Sequence, residues 1–197
     1  MEPILTLQNI SAYNKDGRAL VPPTSLTVGP GERVRVVTER PRFEALARIA
    51  GGLMDPDVGE VELKGPAGYM SPDPGFWEDM TVLDNAALPL TAAGVSRYER
   101  REAAMAVLES LGLGYAAHGY PKSLGLCEQR LAALARALAR GPELLILAEP
   151  VSMLDEKETR RFTNALSERW EADRFAVVYS GREILPTDRT IRLQEGD

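Results

Sequence analysis

Residues 36–61, VVTERPRFEALARIAGGLMDPDVGEV, have the order of elements found around phosphate-binding loops: a strand, a loop, a helix and a second strand. Such a loop needs glycines, whose main-chain N–H groups form an anion nest. It also needs a lysine that neutralises the phosphates and a hydroxyl that holds Mg²⁺. The loop after Val37 has no glycine and no Lys-Ser/Thr pair. The surroundings of a phosphate loop are therefore present without the residues that bind phosphate.

Three residues of this loop and the following helical turn oppose an anionic ligand. Pro41 has no backbone N–H and so removes one donor. Glu39 and Glu44 add negative charge where a triphosphate would sit. A carboxylate close to a phosphate repels it by about 1–4 kcal/mol in surroundings of high to intermediate dielectric constant. We therefore expect normal triphosphate binding to be lost here.

The chain contains one cysteine, Cys127, and one histidine, His118. A single cysteine excludes an internal disulfide and fits a reducing compartment. Because no histidine or second cysteine lies near it in the sequence, Cys127 is predicted to be a small buried hydrophobe and not a nucleophile. A lone histidine argues against a histidine-rich metal site, and His118 is expected on a surface loop beside Gly119.

Composition indicates an ordinary soluble domain. The chain has 197 residues, of which 44% are hydrophobic and 26% charged, and this length is enough for one domain with a real core. The net charge of −6 argues against non-specific nucleic-acid binding. No apolar run is long enough to span a bilayer, and the N-terminus lacks a signal-peptide pattern. We expect any link to a membrane to go through a protein partner.

Hydrophobic periodicity predicts the elements that position these residues. Strands are predicted in ILTLQNI, TSLTV, RVRVVT, GEVELKG, AGYM, LLILAEP, FAVVYS and RTIRLQEG. Helices are predicted in RFEALARIAGGL, SRYERREAAMAVLESLG, EQRLAALARALARG and DEKETRRFTNALSERW. Strands and helices that alternate around fully apolar strands indicate an α/β protein with a largely parallel sheet.

The second of these helices has the clearest start. Ser96 and Glu99 form the S-x-x-E pattern of a capping box. Gly112 is a plausible stop. The side chains expected to line the buried face of this helix are Tyr98, Met105, Leu108 and Leu111.

The order and spacing of these elements resemble the nucleotide-binding subunit of ATP-binding-cassette (ABC) transporters over nearly the full length. TVLDNAALPLTAAGVSRYERREAAMAVLESLGL is similar to the helical subdomain of the lipoprotein-release and macrolide-export type ATPases. ARALARGPELLILAEPVSMLD is similar to the segment from the signature helix through the Walker B strand to the D-loop. GERVRVV and GGLMDPDVGEVELKG bracket the place of Walker A.

The resemblance implies a P-loop NTPase-like ABC ATPase fold. Such a fold has a mixed or parallel sheet core, an N-terminal antiparallel β-subdomain and a helical subdomain. It implies a single domain over residues 1–197, with the core and β-subdomain at about 1–71 and 126–197 and the helical subdomain at about 72–125.

Two nucleotide motifs of the family, Walker A and the Q-loop, have lost their working residues. Aligning the flanking residues places Phe43 at the Walker A lysine and Glu44 at the hydroxyl position, and the loop is about one residue short. In YMSPDP, which resembles the Q-loop, Pro72 stands where the Mg²⁺-contacting glutamine belongs.

The signature, Walker B and switch-histidine motifs also lack the residues that the family uses at these positions. In LGLCEQR, which stands at the LSGGQ signature, Gly125 replaces the serine, and Leu126 and Cys127 replace the two glycines. Branched Leu126 would block the close approach of a partner's γ-phosphate. Ala148 stands at the Walker B aspartate, and Gly181 stands at the switch histidine. The resemblance therefore implies the family's fold with degenerate Walker A, Q-loop, signature, Walker B and switch-His motifs.

Three positions keep a residue of the expected type. Glu149 stands at the general base, although it also fits a strand end before Pro150. Tyr13 stands at the A-loop position that stacks on adenine, although it also fits an exposed tyrosine after an edge strand. Asp155 ends SMLD, which keeps a D-loop form and hints at retained dimerisation, although it also fits a helix cap.

The family's membrane subunits insert a coupling helix into a groove beside the Q-loop and the helical subdomain. Phe76 and Trp77 are the expected contact residues there, because aromatic side chains anchor interfaces. The alternative is that both pack internally. The expected partners are an ABC membrane subunit or a second ABC ATPase subunit, in a homo- or heterodimer, and not nucleic acid.

The favoured function is a pseudo-ATPase, a non-hydrolysing structural or regulatory subunit of a membrane transport complex. It is expected to need no cofactor. The resemblance implies a cytoplasmic protein at the inner face of the cell membrane. One alternative is a weakly active ATPase that uses ATP and Mg²⁺ with Tyr13 and Glu149. Another is a stand-alone scaffold or regulator that binds a non-nucleotide ligand at Arg40, Arg42, Phe43 and Glu44.

Overall fold

A computed structural model describes residues 2–193. The strands are β1 (Leu5–Tyr13), β2 (Ala19–Val28), β3 (Arg33–Val37), β4 (Val58–Leu63), β5 (Ala67–Met70), β6 (Leu144–Leu147), β7 (Ala176–Ser180) and β8 (Arg189–Arg192). The helices are α1 (Arg40–Ala50), α2 (Val82–Ala87), α3 (Arg97–Ser110), α4 (Leu126–Leu138) and α5 (Glu156–Asp173). Short 3₁₀ segments are Leu88–Ala93, Gly114–Ala116 and Pro121–Ser123. The last residues of the predicted strand RTIRLQEG, 194–196, lie outside the described residues.

The strands form two sheets, as expected for the predicted fold class. Five strands form a parallel sheet in the order β5-β6-β7-β3-β8. Three strands form an antiparallel sheet in the order β2-β1-β4. Every residue of β6 and β7 is buried, because central parallel strands are covered on both faces.

Alternate residues of the central strands point into two separate apolar clusters. In β6, Leu144 and Ile146 face one cluster, while Leu145 and Leu147 face the other. This follows from the period of two along a strand. The first cluster joins the sheet to α1 and the antiparallel sheet. The second joins it to α2, α3, α4 and α5.

Helix α3 begins as predicted and buries most of the predicted face, since Leu108 and Leu111 are buried and Met105 is partly buried against the same cluster. Ser96 Oγ accepts a hydrogen bond from Glu99 N at 3.3 Å, and Glu99 Oε2 accepts one from Ser96 N at 3.1 Å. The capping box is therefore confirmed. The prediction for Tyr98 was wrong, because its side chain is 70% exposed. Ala104 and Leu108 form the buried stripe of the helix, and helical spacing puts Tyr98 beside that stripe and not on it.

None of the helices within residues 2–193 has both the length and the apolar character needed to cross a bilayer. The helices α2 and α3 pack on each other and on α4. They share one apolar cluster with α4 and α5. The division into a core and a helical subdomain at about 72–125 stays a prediction.

Candidate functional site at the carboxyl ends of the parallel strands

The candidate site lies where β3, β5, β6 and β7 end, which is where open α/β sheets bind their ligands. Hydrogen bonds tie the segments that leave these strands to one another. Ala148 N donates to Met70 O at 2.9 Å, and Glu149 N donates to Ser180 Oγ at 3.2 Å. Arg35 Nε donates to Gly181 O at 2.9 Å. The fold thus brings most of the sequence-predicted motif positions to one edge of the sheet.

The connection from β3 to α1 consists of Thr38 and Glu39 alone. Glu39 is the N-cap residue, and its side chain makes no capping hydrogen bond. The first helical hydrogen bond closes from Phe43 N to Glu39 O at 3.0 Å. Pro41 lies in the first turn, where its missing N–H is tolerated. The chain therefore turns straight from strand into helix and forms no loop that wraps around a ligand.

Phe43 lies in the apolar core. Its side chain is fully buried in the cluster formed by α1 and both sheets, together with Leu46 and Ile49. The residue aligned with the Walker A lysine therefore anchors α1 and does not line an open site. A large apolar side chain buried this completely stabilises the fold by about 1.5–3 kcal/mol.

Charges at the start of α1 are paired within the helix. Arg40 Nε lies 2.9 Å from Glu44 Oε1, an i,i+4 ion pair. The hydrogen bond that Arg40 donates to Glu44 raises the pKa of Arg40, and the charge of Glu149 adds to that rise. Tyr69, on β5, is close enough to Glu44 and Arg40 to feel both charges, and burial raises its pKa. Arg40 and Glu44, at the start of α1, are thus paired with each other.

Glu149 lies two positions after Leu147, the last residue of the buried strand β6. Its backbone has a φ of 43°, in the left-handed region, and its side chain is half-buried. Gly181 packs against it: a Cβ added there would lie 3.4 Å from Glu149 Cα. With a φ of +88°, Gly181 has a conformation that a histidine would adopt only under strain. The residues predicted at the general base and at the switch histidine are therefore neighbours in the structure.

A buried arginine that sequence reasoning missed lies beside these residues. Arg130, on α4, is only 4% exposed. It donates hydrogen bonds to the Pro72 carbonyl and, at 3.4 Å, to Ser152 Oγ, while its Nε has no partner. Burial lowers the pKa of Arg130, Arg40 lowers it further, and Asp73 and Glu149 oppose that change. Its position on the otherwise apolar face of α4 was the available signal.

A second arginine of α4, Arg136, contacts the segment after β5 two residues beyond the Arg130 contact. Arg136 donates a hydrogen bond to the Pro74 carbonyl, and its guanidinium lies 5.2 Å from the centre of the Phe76 ring. Burial lowers the pKa of Arg136. Residues 72–76, the Q-loop region, are therefore fixed to α4 by two side chains.

Asn85 is another residue that sequence reasoning missed. It fixes the backbone of residues 77–81. Its side chain is fully buried on α2. Nδ2 donates to the carbonyls of Trp77, Met80 and Thr81 at 2.9, 3.2 and 3.0 Å, and Oδ1 accepts from Trp77 N at 2.9 Å. Buried amides of this kind are normally fully bonded. The backbone of Trp77 is thereby held in one conformation.

The two predicted contact aromatics have different surroundings. Phe76 is partly buried and packs against the apolar cluster of the helices. The Trp77 side chain is 62% exposed. Of the two, only Trp77 is largely exposed, and Asn85 fixes its backbone.

At the start of α4, where the signature motif belongs, the Glu128 side chain binds the N-terminal backbone of its own helix. Glu128 Oε2 accepts a hydrogen bond from Gly125 N at 2.9 Å, and Glu128 Oε1 accepts one from the Tyr115 hydroxyl. These hydrogen bonds, first that of Tyr115, lower the pKa of Glu128. Cys127 is buried as predicted, its Sγ lies 3.6 Å from Glu158 O, and burial raises its pKa.

Two further predicted site residues, Tyr13 and Asp155, lie at the end of β1 and at the start of α5. Tyr13 ends β1 and is 44% exposed, and its backbone N donates to Asp57 Oδ2 at 2.7 Å. Within residues 2–193, no side-chain hydrogen bond or ion pair connects Tyr13 to Glu149. Asp155 Oδ1 accepts from Glu158 N at 2.8 Å and caps α5. The predictions that Tyr13 stacks on adenine and that Asp155 contacts a partner remain predictions.

Metal ligands are sparse. In the part of the chain that the structure describes, no group of three or more histidine, cysteine, aspartate or glutamate side chains could hold an ion. Ala148, at the position of the Walker B aspartate, is fully buried and offers no carboxylate.

Known structures place this arrangement in the class of ABC ATPase folds. The chain superimposes on a dimeric post-hydrolysis state of the ATP-binding cassette MJ0796 bound to ADP and Pi with a TM-score of 0.85. That match has 24% sequence identity and covers 98% of this chain and 95% of the other. At this identity the likeness shows the fold.

Sequence comparison identifies the family. The ABC transporter family profile matches residues 45–152, a span that begins directly after Glu44. The chain is 30% identical to the lipoprotein-releasing system ATP-binding protein LolD of Hyphomonas neptunium, over 100% of this chain and 96% of that protein. It is 28% identical to the macrolide export ATP-binding/permease protein MacB of Chromobacterium violaceum, over 93% of this chain and 32% of that protein. The chain belongs to the ABC transporter family.

Proposed function

We propose that this protein is a non-hydrolysing ABC-type subunit. The observation that carries the proposal is the start of α1: a two-residue connection, a fully buried Phe43 and an Arg40–Glu44 ion pair stand where a phosphate loop belongs. A triphosphate bound there would have no glycine nest and no lysine, and would approach Glu39 and Glu44. The missing nest and lysine and the added carboxylates together weaken binding by several kcal/mol.

The other motif positions do not fit Mg-ATP either. Ala148 supplies no carboxylate for the metal shell. The N-terminus of α4, which would have to approach a γ-phosphate from a partner, already interacts with the carboxylate of Glu128. Two negative groups cannot share that position without repulsion. Glu149 alone has neither a metal nor a γ-phosphate on which to act as a base.

The proposed role is structural or regulatory, in a membrane transport complex on the cytoplasmic side. The relatives' names support this setting, since they describe ATP-binding proteins of a lipoprotein-releasing system and of a macrolide exporter. The partner would be an ABC membrane subunit, a second ABC ATPase subunit or both. Trp77 supports the contact, because an exposed indole on a fixed backbone loses little conformational freedom on binding.

The test is calorimetry of the purified chain with Mg-ATP up to millimolar concentration, beside a thermal-shift scan. Ligand binding to the folded state raises stability by RT ln(1 + [L]/Kd). The expected result is no heat and no shift. The Tyr13→Ala variant is the matched control, because its curves should coincide with those of the unchanged chain.

Micromolar binding that Tyr13→Ala abolishes would overturn the argument from the start of α1 and reopen the alternative of a weakly active ATPase. Two buried atoms favour the alternative of a different small ligand: Thr38 Oγ1, directly after β3, and Arg42 Nε have no hydrogen-bond partner in the described residues. Against it stands the burial of Phe43, which that alternative placed in the lining of the site.

A further inference from the structure

Arg130 lies in the second turn of α4, and its side chain is 4% exposed. Its guanidinium lies between two segments that leave the parallel sheet: residues 71–76 after β5, the β5 segment, and residues 148–155 after β6, the β6 segment. It donates one hydrogen bond to the Pro72 carbonyl and one, at 3.4 Å, to Ser152 Oγ. A single buried side chain therefore joins both segments to α4.

The two segments first meet where they leave the sheet. Ala148 N donates to Met70 O at 2.9 Å, so the pairing of β5 with β6 continues by one hydrogen bond. Within residues 2–193, no hydrogen bond links the two segments directly beyond that point. Only Arg130 bonds to both of them there, so the connection between the outer parts of the segments depends on this side chain.

Each segment also places a negative charge near the guanidinium, Asp73 in the β5 segment and Glu149 in the β6 segment. Burial lowers the pKa of Arg130 and Arg40 lowers it further, whereas the charges of Asp73 and Glu149 raise it. No carboxylate oxygen of residues 2–193 lies within 4.0 Å of the Arg130 nitrogens, so this attraction acts at longer range. One cation is therefore attracted to a carboxylate on each segment.

An apolar side chain at the position of Arg130 would avoid the cost of burying a cation that has no directly paired carboxylate. It would also avoid the unpartnered Nε atom. The guanidinium supplies what an apolar side chain lacks, a planar, charged fork whose donors reach two acceptors at once. The contacts of Arg130 therefore specify one arrangement of the two segments and add little to overall stability.

The positions near Arg130 are ones that the resemblance to ABC ATPases assigns to metal and nucleotide. Pro72 stands where glutamine would contact Mg²⁺, and Glu149 stands at the general base. We propose that Arg130 is an internal cation that holds the β5 and β6 segments together, so that this edge of the sheet is closed without a bound ligand. This proposal rests on the proposed function, in which Mg-ATP does not bind here. A subunit built in this way keeps one arrangement of these segments whether or not nucleotide is present.

The test is hydrogen-exchange mass spectrometry of the full chain, without nucleotide, on the variant Arg130→Ala. Amide exchange should become about tenfold faster at Asp73 and Gly75 and also at Ser152, because both segments lose the contact that restrains their opening.

The matched control is Arg136→Ala, which removes another arginine of α4. Arg136 bonds to the β5 segment, at the Pro74 carbonyl, and makes no hydrogen bond to the β6 segment within residues 2–193. Its loss should speed exchange in the β5 segment and leave exchange at Ser152 unchanged.

Chemical rescue separates the charge of Arg130 from its hydrogen bonds and its volume. Arg130→Ala leaves a cavity of guanidinium shape, and such engineered cavities bind small guests. Guanidinium chloride at about 20 mM, far below the molar concentrations that unfold proteins, should slow exchange in both segments again. Urea, which has nearly the same shape and no charge, and sodium chloride should have no such effect at the same concentration.

The variant Arg130→Met keeps the proposal testable if the alanine variant does not fold, because methionine fills most of the space. It should also speed exchange in both segments. Guanidinium should not reverse this change, since no cavity is left for it.

Faster exchange in the β5 segment alone, or in neither segment, would overturn the proposal. So would the absence of rescue by guanidinium, or an equal rescue by urea. These experiments contain no nucleotide, so their failure is independent of the calorimetric result for Mg-ATP. Micromolar binding of Mg-ATP beside an intact guanidinium rescue would instead count against the proposed function and leave the contacts of Arg130 established.

Discussion

Arg130 donates a hydrogen bond to the main-chain carbonyl of Pro72 from inside the protein. This contact joins α4 to the segment that leaves β5. Arg136 repeats it at the Pro74 carbonyl. Neither arginine has a carboxylate partner within 4.0 Å among residues 2–193. The segment is thus fixed by two cations whose charges are only partly compensated.

Replacing Arg130 by methionine should separate local order from overall stability. The variant loses two hydrogen bonds but also removes the desolvation cost of a buried cation, so the free energy of unfolding should change by less than about 1 kcal/mol. Amide exchange at Asp73, Gly75 and Phe76 should become faster, because their segment loses one of its two arginine contacts. Urea denaturation and hydrogen-exchange mass spectrometry measure the two quantities.

The control for this variant is Arg18→Gln, an exposed arginine in the turn between β1 and β2. It should leave both quantities unchanged. A loss of more than about 3 kcal/mol in Arg130→Met would show instead that the arginine supports the fold as a whole.

Restoring the lysine of the phosphate loop should fail. Phe43→Lys puts an ammonium group into a site with no exposed surface, so it should destabilise the protein by at least the 3–5 kcal/mol or so expected for Phe43→Ala. Mg-ATP should not restore the melting temperature. Phe43→Leu, which keeps most of the apolar contact, is the control and should cost the least of the three. A stable Phe43→Lys variant that binds ATP would contradict the placement of this side chain.

Stability should depend on pH through Asp188. Arg33 holds this carboxylate by its Nε at 3.0 Å and its NH2 group at 2.8 Å, and that contact lowers the pKa of Asp188. A lowered folded-state pKa means that the contribution is present above the unfolded value of about 3.9 and is lost as the pH falls further.

Comparison with Asp188→Asn measures this contribution. Because the pair is partly exposed, we expect a difference in unfolding free energy of about 0.5–1 kcal/mol at pH 7. Urea titrations from pH 7 to about pH 3 should show the difference shrinking below about pH 4. A constant difference across that range would exclude the carboxylate's ionisation as its cause.

The fold was predictable because local signals and the order of elements agreed. Apolar runs such as LLILA predicted fully buried parallel strands, and Ser96 with Glu99 predicted the start of α3. These features depend on residues close in sequence. The position of Tyr98 was not predictable by this means, since its burial depends on which face of α3 meets α2 and α4.

Only part of the candidate site could be predicted from the sequence. The resemblance to the family implies that Phe43, Ala148 and Gly181 stand where working residues belong, and this stays a prediction. Arg130 and Asn85 act on partners brought together by the fold: Arg130 and Pro72 are 58 positions apart. A polar residue on an apolar helix face, as in the sequence VLDNAA, is the signal that such a network exists.

The surroundings of Trp170 have a spectroscopic consequence. The chain has two tryptophans. Trp170 lies with the guanidinium groups of Arg33 and Arg174 at 4.2 and 4.7 Å from its ring centre, so its environment is set by the protein itself. Trp77 faces solvent. On binding of a partner that lacks tryptophan, a blue shift of the indole emission would therefore come mainly from Trp77, so that the protein needs no added fluorescent label.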